Sequence, residues 1–171
     1  MPSNIEVKAW DADPATTRAL AERISDSPAI ELKQEDTFFS CPNGRLKLRR
    51  ISTTHNELIF YRRPDLLGTK QSDYIIAPVT APESLITVLT AAFGTWQTVV
   101  KTRVLFQVGQ TRIHLDMVEG LGSFVELEVV LREGQSAEEG HQVARELMTK
   151  LGIREADLVQ GAYADLLSSG N

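Results

Sequence analysis

Glu126 and Glu128 are separated by one residue, and so are Glu6 and Lys8, Lys47 and Arg49, and Lys101 and Arg103. Where the intervening residues are aliphatic, that spacing has a definite meaning in a β-strand. Successive side chains alternate faces, so residues two apart stand together. Glu126 and Glu128 then share a face opposite Leu127 and Val129, and Asn4, Glu6 and Lys8 share one opposite Ile5 and Val7. Arg45, Lys47 and Arg49 stand likewise against Leu46 and Leu48. Like charges about 4 Å apart repel by about 4 kcal/mol at an effective dielectric near 20, so each group needs a partner. Grouped cations call for an anion, and phosphate fits best, because arginine grips its oxygens bidentately and lysine adds a point charge. Grouped carboxylates call for a cation. With oxygen donors and no Cys–His set, Mg²⁺ or Mn²⁺ is the expected cofactor.

The elements that must position these residues follow from turn and cap signals. Strands are expected near 4–10, 33–41, 44–52, 56–63, 72–79, 97–108, 110–117 and 123–132. Pro42-Asn43-Gly44 and Gly109-Gln110 mark tight turns between them. Asp13-Pro14 opens a helix to about Ser25, and Pro82 opens another to about Phe93 with Leu85, Ile86, Leu89 and Phe93 at helical spacing. Ser136-Ala137-Glu138-Glu139 reads as a capping box for a helix to about Leu151, with a last helix over 155–167. About eight strands and four helices make an α+β protein. The expected form is a closed eight-stranded antiparallel β-barrel, a tunnel, with helices packed outside; a barrel of this size encloses one small ligand. The alternative is an open sheet with one ordinary wet face.

The chain has 171 residues, enough for one domain over 1–171, with 42% hydrophobic and 24% charged residues. Its net charge of −5 gives no reason to expect nucleic-acid binding. That sum conceals a segregation: residues 43–63 hold six Lys or Arg and one acid, whereas 113–139 hold seven acids and one base. The single cysteine, Cys41, excludes an intrachain disulfide and a cysteine zinc cluster. With no signal pattern and no apolar run of spanning length, a cytoplasmic protein off the membrane is expected.

The order of the charged pairs resembles the CYTH superfamily, the triphosphate tunnel metalloenzymes. Asn4-x-Glu6-x-Lys8 is similar to the family's Glu-x-Glu-x-Lys signature. Lys47-x-Arg49, Arg62, Lys101-x-Arg103, Asp116 and Glu126-x-Glu128 follow in the family's order, and the likeness is greatest to the branch related to class IV adenylyl cyclases. The resemblance implies a divalent metal and a triphosphate such as ATP, thiamine triphosphate or tripolyphosphate. The activities it implies are hydrolysis of an organic or inorganic triphosphate, or cyclisation of ATP to cyclic AMP and pyrophosphate. A non-catalytic polyphosphate- or nucleotide-binding module remains an alternative, because Asn4 stands where the family has its first glutamate and lacks that charge.

On this reading Glu6, Asp116, Glu126 and Glu128 are the metal ligands. Lys8, Arg45, Lys47, Arg49, Arg62, Lys101, Arg103 and Arg112 bind substrate, and Glu6, Lys8 and Arg62 carry the chemistry. Arg50 and Arg63 are expected to face outward, although a β-bulge near Tyr61 would exchange Arg62 with Arg63. Arg112 and His114 share the parity of Asp116 and are placed to reach the cavity; His114 reads as a structural histidine over an acid or base, His55 and His141 as surface residues, and Tyr163 as a packing residue over a hydroxyl at a tunnel end. Gln34 and Asp36 share a face that shapes the substrate end. The assembly expected is a monomer or homodimer.

Overall fold

The computed structural model describes residues 1–170. Eight strands close into one antiparallel barrel: β1 Ser3–Trp10, β2 Ile30–Phe39, β3 Arg45–Arg50, β4 Asn56–Arg62, β5 Lys70–Pro78, β6 Thr95–Val108, β7 Thr111–Val118 and β8 Gly122–Val130. Around the barrel the order is β1-β5-β4-β3-β2-β6-β7-β8. Two meanders, β2 to β5 and β6 to β8, are joined by the long β2–β6 ladder, and β1 closes the ring between β5 and β8. Closure leaves no free edge.

The barrel is inverted in polarity. On β1, Ile5, Val7 and Ala9 point outward and are fully buried, while Asn4, Glu6 and Lys8 point into the lumen. Three helices make that burial possible. Helices α1 Pro14–Ile24 and α3 Ala137–Leu151 cover β1, β6, β7 and β8, bringing Ala21, Leu147 and Leu151 onto Val7, Phe106, Ile113 and Leu127. Helix α2 Pro82–Phe93 sets Leu89 against Phe39 and Leu48. Each full burial of such a side chain is worth about 1.5–3 kcal/mol, so the main apolar core lies between barrel and helices, while a second cluster with Phe38 and Val99 fills one end of the lumen.

Local signals act as expected at the helix starts. Asp13 accepts from the Thr16 amide to cap α1, and Ser136 and Glu139 form the reciprocal capping box of α3. The C-terminal region differs from the single helix expected over 155–167. A 3-10 turn Glu155–Asp157 precedes extended chain, in which Leu158 bridges Ala9 and the Val159 amide donates to the Lys8 carbonyl. Helix α4, Tyr163–Ser169, begins only after Gly161 turns the chain with φ 86°. Pairing with β1 outweighs helix formation in between. The outcome is a segment laid over one end of the barrel, where Tyr163 and Ala164 pack with Phe38, Val99 and Phe124. No described helix is long and apolar enough to cross a membrane.

Candidate functional site

The inward faces enclose a cavity of about 300 Å³. Seven cations line it (Lys8, Lys47, Arg49, Arg63, Lys101, Arg103 and Arg112) against five carboxylates (Glu6, Asp36, Glu57, Glu126 and Glu128), so the lumen carries a positive excess. Tyr163 and Ala162 close one end, and the apolar Leu32, Ile51, Ile76 and Leu105 lie toward the other.

The charges are arranged as three clusters set by strand register. On the β2–β3 wall, Asp36 lies opposite Arg49 and accepts two bonds from it at 2.8 Å and one from Lys47 at 2.9 Å. On the β6–β7 wall, Asp116 lies opposite Arg103 and takes two bonds from it at 2.7 Å. Lys101 at 3.3 Å and the Tyr163 hydroxyl at 2.9 Å complete its shell. The third cluster spans β7, β8 and β1. Glu126 lies between Lys8 and His114 in register, and Glu128 between Glu6 and Arg112. Arg112 donates to Glu128 at 3.0 Å, and Arg63 donates to Glu6 at 2.7 Å. Lys8 stands 3.9 Å from Glu126, donates to the Gly161 carbonyl at 3.2 Å and lies 4.1 Å over the Tyr163 ring.

Burial sharpens these interactions. Desolvation pushes Lys101 down to about 7, assisted by the Arg103 charge and only partly opposed by Asp116. It pushes Lys8 down to about 8 against the pull of Glu126. Burial alone would raise Asp36 and Asp116, yet their cations hold both well below the usual carboxylate range. Glu6 goes the other way: burial raises its pKa, and Glu128 and Glu126 add to this beyond what Arg63 offsets. Desolvation and Arg103 lower His114 to about 4, so its imidazole is neutral at physiological pH.

Residues 3–163, nearly the whole chain, match the CYTH domain family. The chain belongs to that family. Among solved structures, the PH1012 protein of Pyrococcus horikoshii OT3 is 23% identical with a TM-score of 0.80, the match covering 95% of this chain and 98% of that one. A candidate adenylate cyclase from Vibrio parahaemolyticus is 18% identical with a TM-score of 0.76, over 96% and 97% of the two chains. HpAC1 of Hippeastrum, a candidate adenylyl cyclase described as having a dominant triphosphatase activity, is 15% identical with a TM-score of 0.68, over 98% and 96%. At these identities the likeness is one of fold. No curated protein matches the chain.

Within the CYTH lumen the structure gathers most of the residues the sequence singles out. Glu6, Lys8, Lys47, Arg49, Lys101, Arg103, Arg112, Glu126 and Glu128 all line it. Arg62 does not. It is exposed and donates from Nε to the Asn43 carbonyl, while Arg63 points inward to Glu6. The inward set on β4 is Glu57, Ile59, Tyr61 and Arg63, so regular alternation alone places Arg63 inside and no bulge is needed. Asp116 is also not part of the acidic cluster. Its carboxylate is spent on Arg103, Lys101 and Tyr163, beside the closed end. Arg45 has inward parity but lies past the lumen, where it grips Asp165 of α4 at 2.8 and 2.9 Å.

Four participants take roles that the sequence reading gave second place or did not name. Arg63 is one. Lys70, 2% exposed and opposite Glu6 in register, is another, though its strand gave no charge alternation to reveal it. Tyr163 holds Asp116 as well as packing. His114 enters the lumen and, with Glu126 and Glu128, brings ligand atoms within 4.8 Å of one another. The buried Asn4 Oδ1, Gln34 Oε1 and His114 Nδ1 in the lumen have no hydrogen-bond partner. Unpaired buried polar atoms cost about 1–3 kcal/mol each, which a polar ligand and a cation would relieve. The carboxylate oxygens of Glu126 and Glu128 with a nitrogen of His114, all within 4.8 Å, fit a divalent ion.

Proposed function

We propose that this protein is a divalent-metal-dependent triphosphatase that holds its substrate inside the CYTH lumen. One observation carries the reading: seven cations and five carboxylates converge on one cavity inside the closed barrel, with Lys47, Arg49, Lys101 and Arg103 together on one side and Glu6, Glu126 and Glu128 together on another. The cations have the geometry of phosphate binding. Lys47 and Arg49 from one wall face Lys101 and Arg103 from the other, and Asp36 and Asp116 hold them extended and preorganised. Glu126, Glu128 and His114 would hold a divalent cation, with Glu6 adjacent. Such an ion, when bound, neutralises charge on the phosphate oxygens.

The reaction is hydrolysis. Water oxygen attacks the terminal phosphorus, the bridging P–O bond breaks, and orthophosphate and a diphosphate-bearing product form. Glu6, with its raised pKa and its orientation fixed by Arg63, accepts the proton from water. Lys8, near neutrality in pKa and anchored by Gly161, stabilises the departing oxygen. Cyclisation of ATP requires the ribose hydroxyl and the α-phosphorus inside the same lumen. A cavity of about 300 Å³ is at the small end for a whole nucleotide, which favours a phosphate chain inside and any organic group toward the apolar end.

The experiment is product analysis on tripolyphosphate, thiamine triphosphate and ATP with Mg²⁺ or Mn²⁺. Orthophosphate release is expected, and Glu126→Gln and Glu128→Gln should abolish it with the fold intact. Pyrophosphate with cyclic AMP would replace hydrolysis by cyclisation. Tight binding without product would identify a binding module.

A further inference from the structure

The deepest unexplained feature of the lumen is His114. It is 3% exposed, and its ring lines the cavity on β7. Neither ring nitrogen is satisfied: Nδ1 is buried without any partner, and Nε2 stands 3.9 Å from Glu128 Oε2, beyond hydrogen-bond range. A neutral imidazole left so is a costly residue to bury without a use. Its register explains why it is there. His114 lies directly opposite Glu126 on β8, with Glu128 one step along the same face, so one nitrogen and two carboxylates meet within 4.8 Å. On the neighbouring strand β1, Asn4 offers an amide oxygen without a partner, two residues before Glu6.

We infer that His114 is a direct nitrogen ligand of the lumenal metal, giving this chain a mixed imidazole–carboxylate site that prefers a divalent transition ion over Mg²⁺. The inference rests on the triphosphate reading of the same lumen. Its chemistry is general. Mg²⁺ is a hard ion that takes oxygen donors and keeps several waters, whereas imidazole suits iron, cobalt, nickel and zinc. Glu126 and Glu128 alone would make an oxygen site indifferent to this distinction. An imidazole nitrogen among the ligands tilts it, with Co²⁺ and Zn²⁺ above Mn²⁺ in affinity. A phosphate oxygen is the other occupant to consider for His114. It would have to approach two carboxylates that a cation would welcome, so the metal is the better match.

The chain has three histidines, His55, His114 and His141, which makes the test direct. Untagged protein labelled with ¹⁵N-histidine and loaded with Mn²⁺ is measured by pulsed electron paramagnetic resonance, with and without tripolyphosphate. The double variant His55→Gln/His141→Gln leaves His114 as the sole labelled residue, unaltered. A ¹⁵N-imidazole coupling in that variant is expected, and it is expected to vanish in His114→Gln. In calorimetric titrations His114→Gln should weaken Co²⁺ and Zn²⁺ by tenfold or more while Mg²⁺ changes less than threefold. His141→Gln, whose ring bonds Thr69 on the outer surface, should change neither.

The outcomes separate the two ideas. Bound Mn²⁺ without nitrogen coupling, or equal loss of Mg²⁺ and Co²⁺ affinity in His114→Gln, overturns the inference and leaves a carboxylate-only triphosphatase standing. Nitrogen coupling in a protein that cleaves no triphosphate upholds His114 as ligand and removes the triphosphatase reading. No Mn²⁺ bound under either condition removes the metal from both.

Discussion

Arg62 and Arg63 are adjacent, chemically identical and on opposite sides of the barrel wall, so they form an internal control. Arg63 is 7% exposed at its side chain, and its partner Glu6 is 11% exposed, with 2.7 Å between them. Arg63→Ala leaves Glu6 buried beside Glu126 and Glu128 with its principal counter-ion gone. Removing one member of a buried ion pair typically costs about 3–5 kcal/mol. For a domain of this size that is roughly 2–4 °C of melting temperature per kcal/mol. Arg62→Ala removes an exposed side chain with one bond to the Asn43 carbonyl and should stay within about 0.5 kcal/mol. Urea denaturation of both variants, with unchanged m-values, gives the comparison.

The pH dependence supplies a second, independent readout. The folded-state pKa of Glu6 is raised above 4.5, so the native state binds its proton more tightly than the unfolded chain does. Stability from this group is therefore fully present below about the unfolded value and is lost as pH rises through the folded one. Arg63→Ala removes a lowering influence and moves the folded pKa higher still. The deficit of Arg63→Ala relative to the wild type should accordingly be smallest near pH 4–5 and grow toward neutrality. Adding Glu6→Gln to Arg63→Ala should recover part of the loss. Equal, small effects of Arg62→Ala and Arg63→Ala would refute this account of which arginine guards the lumen.

Lys101, with a pKa near 7 in the free protein, must take up a proton to bind a phosphate chain above that pH. Tripolyphosphate affinity should be flat below about pH 7 relative to Lys101→Arg and fall by up to tenfold per unit above it, measured by calorimetry on both proteins so that titration of the ligand cancels. Asp116→Asn should destabilise by about 3–5 kcal/mol, because Arg103 and Lys101 lose their shared anion, yet leave Mn²⁺ affinity within threefold; a lost metal would return Asp116 to the ligand set. Gly140→Ala should destabilise α3 by about 1–3 kcal/mol in thermal unfolding, since its new Cβ would meet Leu131 at 2.5 Å and Ile5 at 2.7 Å; the usual helix preference for alanine, about 1 kcal/mol, would appear instead if that packing were slack.

The closed barrel and most of its lumen were legible because charge and aliphatic residues alternate strictly on β1, β3 and β8. There, parity fixes which side chains share a face without any knowledge of the partner strand. On β4 the same logic lost its signal. Leu58 and Phe60 face out while Ile59 and Tyr61 face in, so both faces are apolar and neither parity is marked. Family order then selected Arg62 where geometry selects Arg63. Asp116 differs for another reason: its parity was right, and the Gly109-Gln110 turn sets it opposite Arg103, but alternation alone does not show that its carboxylate pairs with Arg103 and Lys101. His114 was read as structural because a single histidine on a strand carries no spacing information. Its parity placed it within reach of the lumen, and the convergence of β7 and β8 shows how near it stands to the two carboxylates.

The charge balance of the lumen explains why metal and triphosphate should bind together. With every group ionised, the seven lining cations and Lys70 against the five lining carboxylates and Asp116 leave an excess of about two positive charges when the cavity holds neither. Three linked phosphates carry roughly four negative charges near neutral pH, one for each phosphate and most of a second on the terminal one. Alone, such a chain overcompensates by about two; alone, a divalent ion doubles the existing excess. Together they bring the interior close to neutrality, which a low-dielectric cavity favours strongly. Each ligand should thus raise the affinity of the other, and linkage requires the two factors to be equal. On the proposed function the acidic and cationic walls would be parts of one device, in which the phosphate chain and the ion each ease the entry of the other.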